Sequence, residues 1–151
     1  MPSNVQTVGF AMGRMMEMFS AGAPVPAFEP ALARCFHPQV QAFEAESLPY
    51  GGVYRGVEGI RLLVERIGDT WLFDAGFVPG GENVAGDSRV IDGGDTVVVM
   101  GTFRARLRRN GRILAVPVAE FWSFDAQGQA LTIRPYYFDT ALIRDAFHAP
   151  A

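Results

Sequence analysis

"FEAESLPYGGVYRG", residues 43 to 56, ends an apolar run in two carboxylates, bends through Leu-Pro-Tyr-Gly-Gly and leaves on an arginine. The run that feeds it, "VQAFEAE", reads as a short strand over 39–46. Alternation puts Val40, Ala42, Glu44 and Glu46 on one face of that strand, with Glu46 nearest the bend. Gly51 and Gly52 supply backbone angles that other residues disfavour. Two readings of the stretch stand side by side: a solvated strand end before a turn, or the lip of a pocket with a working carboxylate. Beyond the bend, Ile60, Val64, Ile67 and Trp71, with Leu63 beside them, mark a helix over about 57–73.

Upstream, Val5, Val8, Met12, Met15, Met16 and Phe19 recur at helical spacing and predict an amphipathic helix over 3–20, ended by "SAGAPVP". A shorter helix carrying Phe28, Leu32, Cys35 and Phe36 stops before Pro38, with Pro30 in its first turn. The second half is different. "GFVPGGENVAGDSRVIDGGD" is glycine-rich, with a strand or two cut by turns. "DTVVVMGTFRARLRR" and "RILAVPVAEFWSFD" are strands joined at Asn110-Gly111, a hairpin signal, and "QALTIRPYYF" is a further strand after the turn at Ala126-Gln127-Gly128. The tail "DTALIRDAFHA" is helical, capped by Asp139 or Thr140.

Helices first and an antiparallel meander after them give one α+β domain over 1–151, the helices covering one face of the sheet. In "AVPVAEFWSF" one alternating set is Val116, Val118, Glu120, Trp122 and Phe124, and the other is Pro117, Ala119, Phe121 and Ser123. Both sets are largely apolar, and helices cover only one, so the outer face is expected to pack on a second copy in a homodimer.

The chain is 49% hydrophobic and only 19% charged, a rich apolar supply for 151 residues. A net charge of −3 argues against nucleic acid, which is held by phosphate neutralisation. The single cysteine, Cys35, cannot form an internal disulfide, which fits a reducing cytosol. The N-terminus has no basic segment before its apolar positions, and no apolar run approaches the roughly 18 residues of a membrane span, so a soluble cytoplasmic protein is expected. His37 and His148 lack metal-ligand spacing, no Gly-x-Ser-x-Gly or Cys/His arrangement suggests covalent catalysis, and no glycine fingerprint suggests a nucleotide. No metal or cofactor is expected. Arg104, Arg106, Arg108, Arg109 and Arg112 surround the Asn110-Gly111 turn and read as a solvated hairpin tip.

With "ESLPYGGVYRG" before the third helix and "YYFDTAL" after the last strand, the order of elements resembles the nuclear transport factor 2-like superfamily, in its SnoaL-like and ketosteroid isomerase-like branch. The resemblance covers roughly residues 5 to 147. It implies a strongly bent antiparallel sheet wrapped around a long helix into a cone, with an apolar pocket at the open end. Members include isomerases, polyketide cyclases, epoxide hydrolases and dehydratases, and also domains that only bind, dimerise or dock another protein. Setting the family's glycine on Gly56 places Glu46 at the general-base position of ketosteroid isomerases, and Glu120 falls where those enzymes keep a protonated acid. The oxyanion tyrosine of the first helix aligns near Met15 and is missing, with Tyr50 available as a replacement donor.

Glu120 shares its face with Val116, Val118, Trp122 and Phe124, where lost solvation raises a carboxyl's pKa. The alternative is an ion pair with Arg134 or Arg104. The candidate catalytic groups are therefore Glu46, Glu120 and Tyr50. Met15, Phe19, Trp71, Val118, Trp122 and Tyr136 are expected to line a pocket for a small apolar ligand, although the same aromatics would serve equally as core.

Overall fold

The apolar stripe of the first helix, α1 (Asn4–Ala21), buries Val8, Ala11 and Met15 and leaves Arg14 and Glu17 paired at 2.6 Å on its outer side. The computed structural model describes residues 1–21, 24–73 and 88–151, apart from the side chains of 20 and 21. After α1 come α2 (Pro30–Ala33), β1 (Phe36–Glu44), β2 (Gly52–Arg55), α3 (Gly56–Thr70), β3 (Trp71–Phe73), β4 (Arg89–Asp92), β5 (Thr96–Leu107), β6 (Ile113–Phe124), β7 (Ala130–Tyr137) and α4 (Thr140–His148). The sheet order is β2-β1-β7-β6-β5-β3, with β4 also on β5. The sheet curls strongly into a half barrel, and α1 lies against α3 and against β3, β4 and β5.

The hairpin at Asn110-Gly111 forms as expected: β5 and β6 pair from Thr96 opposite Ser123 to Arg106 opposite Ile113, and Gly111 sits at φ +77°. The antiparallel meander has one parallel junction, β1 on β7, which brings the first half of the chain beside the last strand. Such a crossover needs the intervening elements and leaves no local sequence mark. Asp139 caps α4, its Oδ1 accepting from the Leu142 N–H at 2.9 Å.

Three boundaries differ from the periodicity. The second helix stops at Ala33, and Phe36 opens β1. Pro38 lies where the β1–β7 register slips between Phe36 and Gln41, a place where a residue without N–H is tolerated inside a strand. The third helix ends at Thr70, and Trp71 pairs with Leu107 as an edge residue of the sheet. Spacing could not distinguish these, because Trp71 is buried on either path. Most of the glycine-rich segment lies outside the described residues; its tail supplies β4. Among the described residues no helix is long and apolar enough to cross a membrane.

The third difference decides the site. Strand β1 ends at Glu44 instead of 46, and its buried set is Phe36, Val40, Ala42 and Glu44. The chain then turns, with Leu48 N–H donating to Ala45 C=O and Gly51 N–H to Leu48 C=O. Gly51 is wedged so tightly that a Cβ there would stand 2.5 Å from the Ala45 oxygen and 2.7 Å from the Glu46 Cα. Gly51→Ala is therefore expected to cost roughly 1–3 kcal/mol by overpacking against backbone. Gly13→Ala, exposed in α1 with nothing within 4 Å, should stabilise by roughly 0.5–1 kcal/mol. Chemical denaturation of the two variants measures both signs; equal effects would refute the close approach at the bend.

Candidate functional site

Inward alternation along three neighbouring strands aims Glu44, Glu120 and Tyr137 into one apolar cavity. In β6 the inward set is Val116, Val118, Glu120, Trp122 and Phe124, and the apolar outer set faces away from the helices, with Phe121 41% exposed. On β7, Ile133 and Pro135 face inward and Arg134 and Tyr136 outward, so Tyr137 is the tyrosine that faces inward. Met12, Met16 and Phe19 of α1 and Ile67 of α3 form the opposite wall.

The cavity has two compartments of about 90 and 70 Å³ that share Met12, Met16, Phe19, Ile67, Glu44 and Glu120. Tyr50, Val99, Phe103, Val118 and Tyr137 line the larger one, and Met15, Leu63, Val64, Trp122 and Ile133 the deeper one. Met100, Gly101, Val118 and Tyr137 also border a surface groove that continues to Arg89, Tyr136 and Phe138.

The expected site residues are thus only partly brought together. Glu120, Tyr50, Met15, Phe19, Val118 and Trp122 line the cavity. Glu46 does not: it is exposed in the turn after β1, and Glu44, only 8% exposed, takes the inward position. Trp71 is fully buried behind Tyr50 and not on the cavity wall. Tyr136 is 55% exposed on the outer face, and Tyr137 replaces it inside. The arginines offered as partners for Glu120 are elsewhere. Arg104 is exposed, and the Arg134 guanidinium sits 4.1 Å over the Phe43 ring.

Each carboxyl has one hydrogen-bond donor among the described residues. Trp122 Nε1 donates to Glu120 Oε1 at 2.6 Å, a short contact that favours the ionised acceptor. Tyr137 Oη donates to Glu44 Oε2 at 3.3 Å, and its own oxygen lies 3.3 Å from Tyr50 Oη. Behind it Trp71 Nε1 donates to Tyr50 Oη at 3.1 Å, and Tyr54 Oη donates to the Tyr50 carbonyl at 2.7 Å.

Lost hydration controls the titration. Burial pushes Glu120 up to about 7, against the opposing hydrogen bond from Trp122. Glu44 is held well above the ordinary carboxylate range by burial first and then by repulsion from Glu120, with Tyr137 opposing. Burial and the neighbouring Glu44 also raise Tyr50 and Tyr137, so both hydroxyls keep their protons. The two carboxyls titrate as a coupled pair, each charge opposing the other. The arrangement offers an acid and a base across one apolar space. Among the described residues, no group of three or more His, Cys, Asp or Glu could hold a metal ion.

No family model and no curated protein matches the chain. Solved structures do. A crystal structure named as an NTF2-like protein from Burkholderia xenovorans matches with TM-score 0.72 at 16% identity, over 96% of this chain and 95% of that one. Another NTF2-like protein, from Burkholderia thailandensis, matches with TM-score 0.68 at 24% identity over 99% and 100%. This is the nuclear transport factor 2-like fold. A Pseudomonas putida protein provisionally named a polyketide cyclase shares the same fold at 13% identity, with TM-score 0.61 over 95% and 97%.

A carboxyl whose pKa is higher folded than unfolded holds extra protons in the folded state, so it stabilises the fold at low pH. For Glu120 that contribution is complete below the ordinary 4.5 and is lost as pH rises through about 7. It amounts to about 3 kcal/mol at most, and the raised Glu44 carboxyl acts with the same sign. Glu120→Gln should flatten the fall in stability between pH 5 and 8 and be more stable than the unsubstituted protein at pH 8. Thermal melting at both pH values checks this; an unchanged slope would remove Glu120 from the buried pair.

Proposed function

We propose that the protein is an acid–base enzyme acting, with its own side chains and without a cofactor, on a small and largely apolar carbonyl compound. One observation carries this reading: Glu44 and Glu120 line the same apolar cavity, and among the described residues neither is paired with a cation. Glu120, the more readily ionised, takes a proton from the carbon next to the substrate carbonyl. Glu44, carrying a proton, gives it to the carbonyl oxygen, and the result is a neutral enol. Returning a proton to a different carbon is isomerisation; attack of the enol carbon on a second carbonyl is cyclisation. Lysine-based imine chemistry is closed to this chain, because all 13 of its Lys and Arg residues are arginines.

The cavity limits the substrate. At about 90 and 70 Å³, the compartments compare with the ~150 Å³ that accommodates a benzene ring. A ligand of about one ring matches these compartments, and a longer one would extend into the groove toward Arg89, Tyr136 and Phe138. The provisional cyclase name of the Pseudomonas putida protein is in keeping with enol chemistry on this fold.

The test is solvent-deuterium exchange at the α-carbon of single-ring ketones, followed by NMR. Glu44→Gln and Glu120→Gln should each slow it by about 10²–10⁴-fold, and Glu46→Gln should leave it unchanged. Ligand-induced melting shifts that survive both substitutions without any exchange would replace the enzyme with a binding domain.

We also propose that the outer sheet face packs on a second copy. Phe121 and Tyr136 meet edge to face at 5.3 Å on that face while 41% and 55% exposed, and Phe138 beside them is 85% exposed. A monomer rarely leaves such an apolar patch to water. The Phe121→Asp/Phe138→Asp double variant should sediment as a monomer where the unsubstituted protein sediments as a dimer. A monomeric unsubstituted protein would reject the interface.

A further inference from the structure

Behind the cavity wall runs a line of hydrogen bonds with a direction. It starts at the indole of Trp71, fully buried, whose N–H donates to Tyr50 Oη at 3.1 Å. An indole N–H can only donate. Tyr50 Oη therefore receives a proton at that contact, and its own single proton remains to be placed. Tyr50 is 2% exposed, and Tyr137 Oη, at 3.3 Å, is the other hydrogen-bond partner of its hydroxyl among the described residues. Were Tyr137 to donate to Tyr50 instead, the Tyr50 hydroxyl would accept twice and its proton would point at apolar wall. A buried donor left without an acceptor is the costlier arrangement. Tyr50 thus donates to Tyr137, and Tyr137, its oxygen already accepting, donates its one proton to Glu44 Oε2 at 3.3 Å.

We propose that Trp71 and Tyr50 are positioning residues that, acting through Tyr137, make Glu44 Oε2 a permanent acceptor, so that a proton on Glu44 sits on Oε1. The proposal rests on the acid–base reading for its consequence: the acid proton is offered to the cavity that Glu44 lines, where a substrate carbonyl would bind, and is not turned back toward Tyr137. Without the Trp71 donor, a protonated Glu44 could donate to Tyr137 and be idle as an acid.

Few groups compete for that proton. Glu120 faces Glu44 from β6, Tyr137 from β7 and Tyr50 from the bend; α1 and α3 present Met12, Met16, Phe19 and Ile67, none of which titrates. Glu120 accepts from Trp122 at 2.6 Å and is the worse place for a proton. The direction of the chain also explains why Trp71, which touches no ligand space, stands where β3 begins: edge pairing with Leu107 holds its indole against Tyr50.

Isotope-edited infrared spectroscopy on the ligand-free protein tests this without any substrate. At neutral pH the carbonyl stretch of protonated Glu44, identified by its disappearance in Glu44→Gln, should lie at the low wavenumber of a C=O that accepts a hydrogen bond. In Trp71→Phe the band should move to higher wavenumber, because Tyr50 is then free to accept from Tyr137 and the acid donates to Tyr137 instead. The midpoint of the Glu44 titration should rise with it. In Tyr50→Phe Glu44 is the acceptor left to Tyr137, and the band should stay low. A folded Trp71→Phe whose band and midpoint match those of the unsubstituted protein would overturn the proposal and leave Trp71 and Tyr50 as packing residues. If Trp71→Phe does not fold, Tyr50→Phe, which deletes one oxygen, decides alone: a band that moves to higher wavenumber there would overturn the proposal. Loss of α-proton exchange with the infrared signature intact would instead count against the enzyme reading and leave the chain standing.

Discussion

Two carboxyl groups inside one apolar cavity constrain everything else in this molecule. Each loses hydration when charged, and each raises the cost of the other's charge. A protein usually resolves this with an arginine, and this chain has 13 Lys and Arg residues, all arginines, to choose from. It keeps them outside. Arg61 bonds Glu58 and Glu65 on the surface of α3, Arg14 bonds Glu17 and Glu29, and Arg134 lies on Phe43. Inside, among the described residues, relief comes from neutral donors, Trp122 for Glu120 and Tyr137 for Glu44. Neutral donors orient a carboxyl without fixing its charge, so either carboxyl can gain or lose a proton without breaking an ion pair.

The frame follows from that requirement. Aromatic packing around the pair supplies the rigidity that ion pairs would otherwise give: Trp71 and Phe103 meet edge to face at 5.5 Å, and Trp122 stacks between Phe36 and Phe124 at 6.2 and 6.4 Å. The parallel junction of β1 with β7 places Ala42 beside Ile133, which sets the end of β1 near the inward residues of the last strand. The tight bend at Gly51 then returns the chain so that Tyr50 backs onto Tyr137.

Much of this was legible in the residues, and the misses have physical causes. The inward set of β6, Glu120 included, follows from strict alternation along a long strand between two clear turns. Glu46 and Glu44 could not be separated that way, because a period of two gives both the same face and only the strand's last residue decides. That residue is fixed by how closely Gly51 packs on Ala45 and Glu46, a tertiary contact. Tyr136 against Tyr137 was decidable: Arg134 must face out, and counting from it puts 136 out and 137 in. Trp71 was ambiguous because Ile67 and Trp71 are four apart, a helical spacing that the first residue of a following edge strand satisfies as well.

The two carboxyls differ in how firmly they are held, and that difference gives the pair its direction. Glu120 accepts from the indole of a neighbour two residues along its own strand, at 2.6 Å and with both groups fixed by the β6 backbone. Glu44 ends a strand and accepts at 3.3 Å from a hydroxyl that is itself the last link of a chain. A short bond to a rigid donor favours charge on the first, and a long one leaves the second the better home for a proton. Identical side chains in one cavity thereby differ in their hold on a proton. The asymmetry comes from the donors behind them, which belong to the core.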